Sequence, residues 1–115
     1  MDQTYKFDGG KLQYRLIPPF ALEEVARALT YGAQKYSAYS WVNVESQRYL
    51  DAAYRHLETF RKGQRYDEES QLPHLAMAVT NLMFLLEREA HDDTTHGKPL
   101  ETYYEEVASQ VDRDR

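Results

Sequence analysis

The chain has 115 residues, no cysteine and a formal net charge of −5 at pH 7. Its length fits a single domain, the lack of cysteine excludes disulfides and thiolate metal sites, and the acidic charge argues against a broad nucleic-acid interface. No run reaches the ~18 apolar residues of a membrane helix, and residues 1–4 lack a signal-peptide pattern, so the cytoplasm is the expected compartment.

The spacing of apolar residues predicts an all-α domain over residues 1–115, with four helices and no strand. Pro18 and Pro19 favour a helix start, because proline has no N–H to lose in a first turn. Gly63 favours a helix end, since glycine readily adopts the left-handed conformation found there. The third helix is apolar nearly all round and should be central. The predicted helices cover residues 20–36, 44–62, 72–90 and 100–110, with an irregular arm at 1–17, a linker at 91–99 and a frayed tail at 111–115.

Carboxylates that could hold a hard cation lie on three separate segments. Glu24 belongs to the first predicted helix, Asp51 to the second, and Asp67 and Glu69 to the acidic turn before the third. If the helices pack as a bundle, these groups can meet at one end and supply the oxygen ligands that Mg²⁺ takes. The alternative is that acids near helix starts only favour the helix dipole and stay solvated.

Two histidines are further candidates. His56 and His74 each lie among apolar neighbours on a predicted helix and beside a carboxylate-bearing segment. A histidine in such a place is more often a hydrogen-bonded core residue than a metal ligand. We therefore keep both interpretations for this pair.

Three cations and the single tryptophan could contact an anionic ligand. Lys11 follows two glycines, where backbone N–H groups and a cation could together hold a phosphate. Lys35 and Arg55 are further cations, although Arg55 could instead pair with Asp51 one helical turn away. Trp41 lies in a polar loop, where it could stack on a base or equally cap the core.

Taken in order, several segments resemble the signature of the phage-type dATP/dGTP diphosphohydrolases, and the resemblance covers roughly residues 5–88. They are Asp-Gly-Gly-Lys at 8–11, Leu-Ile-Pro-Pro at 16–19, Ala-Leu-Glu-Glu-Val-Ala at 21–26, Tyr-Gly-Ala-Gln-Lys-Tyr at 31–36, Trp41, Asp-Ala-Ala-Tyr-Arg-His-Leu at 51–57, and Asp-Glu-Glu-Ser leading into Pro-His-Leu-Ala at 67–76.

The resemblance implies a MazG-like helical bundle of about four helices, assembled as a homodimer or homotetramer. It also implies hydrolysis of purine (deoxy)nucleoside triphosphates, of the dGTP or dATP type, to monophosphate and pyrophosphate with Mg²⁺ or Mn²⁺. For a phage-encoded protein, the compartment would be the host cytoplasm. Glu24, Asp67 and Glu69 would be catalytic and hold the metal, with Asp51 and His74 as further ligands. The substrate would contact Lys11, Lys35, Trp41, Arg55 and His56.

The main alternative is a non-catalytic helical module that binds a nucleotide or another protein. Gln64 stands where the family has a glutamate, and Met77 stands where a second histidine often follows His74. A third interpretation is a structural helical protein whose acidic surface is only solvated. Neither nucleic acid nor a membrane is an expected partner.

Overall fold

A computed structural model describes residues 10–94 and 98–114 of the chain. Within these ranges the fold is all-helical, with no strand and one isolated bridge between Tyr66 and Pro73, which confirms the predicted class. Short 3-10 turns at Tyr14–Leu16 and Ser40–Asn43 precede the first and second helices. The α-helices are α1 (Pro19–Lys35), α2 (Ser46–Arg61), α3 (His74–Thr94) and α4 (Leu100–Asp114).

The predicted start and stop signals operate at α1 and α2. Pro18 is the N-cap residue of α1 and Pro19 is its first residue, as the missing proline N–H favours. Gly63 has a φ of 108° just after α2. Its N–H donates to the carbonyl of Phe60 at 2.9 Å, and the N–H of Gln64 donates to Thr59 at 3.2 Å. This pair of bonds closes the helix end in the manner of a Schellman motif.

Several helix boundaries differ from prediction. The second helix begins at Ser46 instead of residue 44, because a 3-10 turn and the extended Val44 precede it. The third begins at His74 instead of residue 72, because Pro73 is held in the bridge to Tyr66. It ends at Thr94, so residues 91–94 of the expected linker are helical. The last helix extends past residue 110, through residue 114.

The core is built mainly from small residues. α3 packs against both α2 and α1, as expected of the central helix. Among the described residues no large side chain is fully buried, and the buried apolar residues are Val25, Ala28, Val42, Ala53, Ala76, Ala78 and Leu100. Alanines let helix backbones approach closely, but they bury little apolar area per residue. No described helix has the length and apolar character needed to cross a membrane.

A second apolar face of α3 is therefore left uncovered. Its members recur at helical spacing, so they form one stripe along the helix. Each is between 42% and 62% exposed. The stripe consists of Leu75, Val79, Leu82, Met83 and Leu86.

Gly32 offers a test of the α1 assignment. It lies inside the helix, and a Cβ built there meets nothing within 4 Å. The Gly32→Ala variant should raise the free energy of unfolding by about 0.5–1 kcal/mol in urea denaturation, because alanine loses less backbone entropy. As a control, Gly63→Ala should lower the free energy of unfolding, because the φ of 108° at this position strains any residue with a Cβ. Destabilisation by Gly32→Ala would contradict the assignment.

Candidate functional site

The acidic segment, residues 65–73 between α2 and α3, is folded back on itself. The N–H of Asp67 donates to the carbonyl of Leu72, and the N–H of His74 donates to that of Arg65, both at 2.8 Å. Oδ2 of Asp67 accepts hydrogen bonds from the N–H and the hydroxyl of Ser70 at 2.8 and 2.9 Å. Burial alone raises the pKa of Asp67, but the Ser70 bonds and the nearby histidines outweigh it and lower the pKa. One oxygen of this ionised carboxylate is thus committed to the turn.

Glu69 joins the acidic segment to α1. Its Oε2 accepts hydrogen bonds from the hydroxyl of Tyr31 and from Nζ of Lys35, the latter at 2.5 Å. The bond from Lys35, followed by that from Tyr31, lowers the pKa of Glu69, and the same contact raises the pKa of Lys35. The side chains of Lys35 and Glu69 remain 41% and 60% exposed, so solvent and solutes can reach this Tyr31–Lys35–Glu69 cluster.

Glu24 lies beside a cation of its own helix. Oε2 of Glu24 is 3.8 Å from Nε of Arg27, and the same guanidinium lies 3.5 Å from Glu23. Asp51 accepts a hydrogen bond from Gln47 at 3.1 Å on α2. Within residues 10–94 and 98–114, no three Asp, Glu, His or Cys side chains come close enough to hold a metal ion. The metal site therefore stays a prediction.

The two candidate histidines meet between α2 and α3. Nδ1 of His56 lies 2.9 Å from Nδ1 of His74, a residue only 6% exposed. One nitrogen must donate and the other accept, so at least one ring is neutral when this bond forms. Burial first, and then the charge on His74, lowers the pKa of His56. Mutual hydrogen bonding is what a core histidine requires, and it also keeps both rings near Asp67.

A groove of about 410 Å³ runs along one face of α1, which carries residues spaced three or four apart. The acidic segment forms its other wall. Lys35 lies next to the groove, because it bonds to Glu69 and the following residue, Ser70, lines the groove. The polar and apolar groups that line it include Glu23, Arg27, Tyr31 and Gln34 of α1, with Ser70 and Leu72 opposite. Sequence reasoning missed this groove, since its two walls lie far apart along the chain.

Trp41 packs against α3 and α4. Its ring stacks on Phe84 at 4.7 Å between centroids and meets the edge of Tyr104 at 5.4 Å. The guanidinium of Arg88 lies 5.5 Å from the same ring. Arg88 also fixes the Trp41 loop by donating to the carbonyls of Trp41, Val42 and Val44 and to the hydroxyl of Ser46. These contacts match the core-capping alternative, and base contact by Trp41 stays a prediction.

The other predicted cations are dispersed. Lys11 is exposed in the arm beside Gly10, whose φ is 81°. Arg55 is exposed on α2. Of the three predicted phosphate-binding cations, Lys35 is the one that lies next to the groove, through its bond to Glu69. Tyr31 and Arg88 were not among the predicted site residues, because the partners of each lie on another part of the chain.

Comparison with known proteins gives two matches. The family model described as "dATP/dGTP diphosphohydrolase, N-terminal" matches residues 1–97. A protein of Salmonella phage PMBT28, named dATP/dGTP diphosphohydrolase, is 44% identical over 80 residues. That alignment covers 70% of this chain and 28% of the phage protein, so the chain spans a minor part of its relative's length. No solved structure matches the chain.

The histidine pair predicts a specific pH dependence of stability. Because the folded-state pKa of His56 is below its unfolded value, the neutral ring favours the fold. Its contribution should be complete above about pH 6.5 and decline as the pH falls towards the folded-state pKa. Urea denaturation between pH 7.5 and 5.5 should show the wild type losing stability faster than His56→Gln. Equal slopes for the two proteins would contradict the assignment.

Proposed function

The chain belongs to the dATP/dGTP diphosphohydrolase family, and we propose that it binds a purine (deoxy)nucleoside triphosphate in the groove along α1. We further propose that the bound nucleotide is hydrolysed to the monophosphate and pyrophosphate. Family membership is the observation that carries this proposal, and the groove provides a place for the ligand.

The size and polarity of the groove support a nucleotide-sized ligand. Its volume of about 410 Å³ falls within the range of small-molecule sites, which is roughly 300–1,000 Å³. Arg27 lines the wall, and Lys35 stands eight residues further along the same helix, about 12 Å away at 1.5 Å per residue. Two cations so spaced could neutralise a phosphate chain, while Ala26 and Leu72 offer apolar contact.

The proposed dependence on Mg²⁺ or Mn²⁺ rests on the resemblance. Each carboxylate assigned to the metal already has another partner: Glu24 has Arg27, Asp51 has Gln47, Asp67 has Ser70, and Glu69 has Lys35. As arranged among the described residues, these donors do not form a ready-made metal site. What the described residues would supply is positioning of the phosphate chain and charge neutralisation by Lys35.

A second candidate is a nucleotide-binding module whose catalytic groups lie elsewhere. The alignment covers only 28% of the phage relative, so most of that protein lies outside the shared segment. In this case the groove would still bind nucleotides, but the chain would not turn them over. Nucleotide binding measured beside turnover separates the two candidates.

We also propose that the chain forms a homodimer or homotetramer through the exposed stripe of α3. The alanine-rich core leaves this stripe 42–62% exposed on the central helix. Covering such a face with a second copy would remove apolar surface from water at roughly 25 cal/mol per Å². A contiguous apolar face of this kind is typical of association surfaces.

Turnover is tested by pyrophosphate release from the four dNTPs, ATP and GTP, with Mg²⁺, Mn²⁺ or EDTA. We expect release from the purine substrates only when a cation is present. Lys35→Gln should lower the rate at least about tenfold, because it removes a charge that the transferring phosphate needs. Glu101→Gln is the control, as this exposed residue lies on α4, beyond the family match. If no pyrophosphate is released from any of these nucleotides, the proposed hydrolysis is wrong.

Assembly is tested by sedimentation equilibrium. The wild type should have two or four times the 13.5 kDa mass of the chain. Leu82→Glu, which places a charge in the middle of the stripe, should shift the mass towards that of the monomer. Ser109→Glu adds the same charge at an exposed position of α4 and should leave the mass unchanged. A monomeric wild type at micromolar concentration would refute the proposed assembly.

A further inference from the structure

Two donors on α1 converge on one oxygen atom. The hydroxyl of Tyr31 and Nζ of Lys35, four residues apart, both donate to Oε2 of Glu69. A phenol and an ammonium aimed at one anionic oxygen form an anion site whose present occupant is a carboxylate of the same chain. A phosphate oxygen has the same need for charge-assisted hydrogen bonds and would fit these donors.

The cluster is placed where a ligand of the groove can reach it. Tyr31 lines the groove, and so does Ser70, the residue that follows Glu69. Lys35 lies next to the groove through its bond to Glu69. The side chains of Lys35 and Glu69 are 41% and 60% exposed. Ion pairs of this kind are weak, because water screens them and two flexible side chains must be held. A polyphosphate, which carries several negative charges, can therefore compete with a single carboxylate.

We propose that Tyr31 and Lys35 form a phosphate subsite that Glu69 occupies in the free protein and vacates when a polyphosphate binds. The inference rests on the proposed function, since a nucleotide would bring that polyphosphate into the groove. It adds a role for Tyr31 and makes Glu69 a competitor of the ligand in the free state. On displacement, the Glu69 carboxylate is released beside the bound phosphates.

The experiment is calorimetric titration with inorganic tripolyphosphate in EDTA, which measures binding without turnover or metal. Glu69→Gln removes the competing charge and should bind about two- to fivefold more tightly than wild type, the range that an exposed ion pair allows. Tyr31→Phe and Lys35→Gln should each bind at least about threefold more weakly, because each deletes one donor.

Glu68→Gln is the matched control. It makes the same change in net charge one residue away, and Glu68 is exposed and enters the local hydrogen bonds only through its backbone carbonyl. Its affinity should stay near that of the wild type and below that of Glu69→Gln. The proposal is overturned if Glu69→Gln binds no more tightly than Glu68→Gln, or if the wild type does not bind tripolyphosphate. Pyrophosphate release is measured in a separate assay. Tripolyphosphate binding without pyrophosphate release would therefore contradict the proposed hydrolysis and still support the phosphate subsite.

Discussion

The bond from Lys35 to Glu69 connects α1 to the acidic segment that precedes α3. This segment is itself rigid, because backbone hydrogen bonds close it and Asp67 caps its turn. Its far end begins α3, which also packs against α1. The Lys35–Glu69 contact, which Tyr31 strengthens with a second hydrogen bond, therefore joins the two walls of the groove in the free protein.

The helices that carry this contact pack through a core of mostly small residues. Alanines at the helix contacts bring the backbones close together, and buried polar residues such as His74 and Thr80 must find partners inside. Thr80 bonds to the carbonyl of Ala76, and His74 bonds to His56. Large apolar side chains are left on the outer face of α3. Covering this face with a second copy, as we propose, would add the buried apolar area that the alanine-rich core lacks.

The fold was largely predictable because its signals are local. Helical periodicity, the prolines before α1 and the glycine after α2 all act within a few residues of the feature that they determine. The starts of α2 and α3 were misplaced by two residues because nonlocal contacts decide them: Arg88 fixes the loop before α2, and Arg65 bonds to His74 at the start of α3.

The candidate site was only partly predictable. Lys35 and Glu69 were both expected to be functional, but as a phosphate contact and a metal ligand, not as partners 34 residues apart. Tyr31 carried no signal in the sequence, since its role depends on α1 facing the acidic segment. The surroundings of Trp41 were equally hidden, because Phe84 and Arg88 lie more than forty residues further along the chain. Spacing identifies side chains that could act, but tertiary packing decides which of them meet.

The central claim is that the nucleotide lies between α1 and the acidic segment. An NMR titration with a dGTP analogue that cannot be cleaved between the α and β phosphates tests it most directly. The account predicts that the largest amide shifts fall in residues 26–35 and 67–72, with a further shift at the Tyr31 side chain. Shifts confined to the Trp41 loop and α4, with these two segments unmoved, would contradict it.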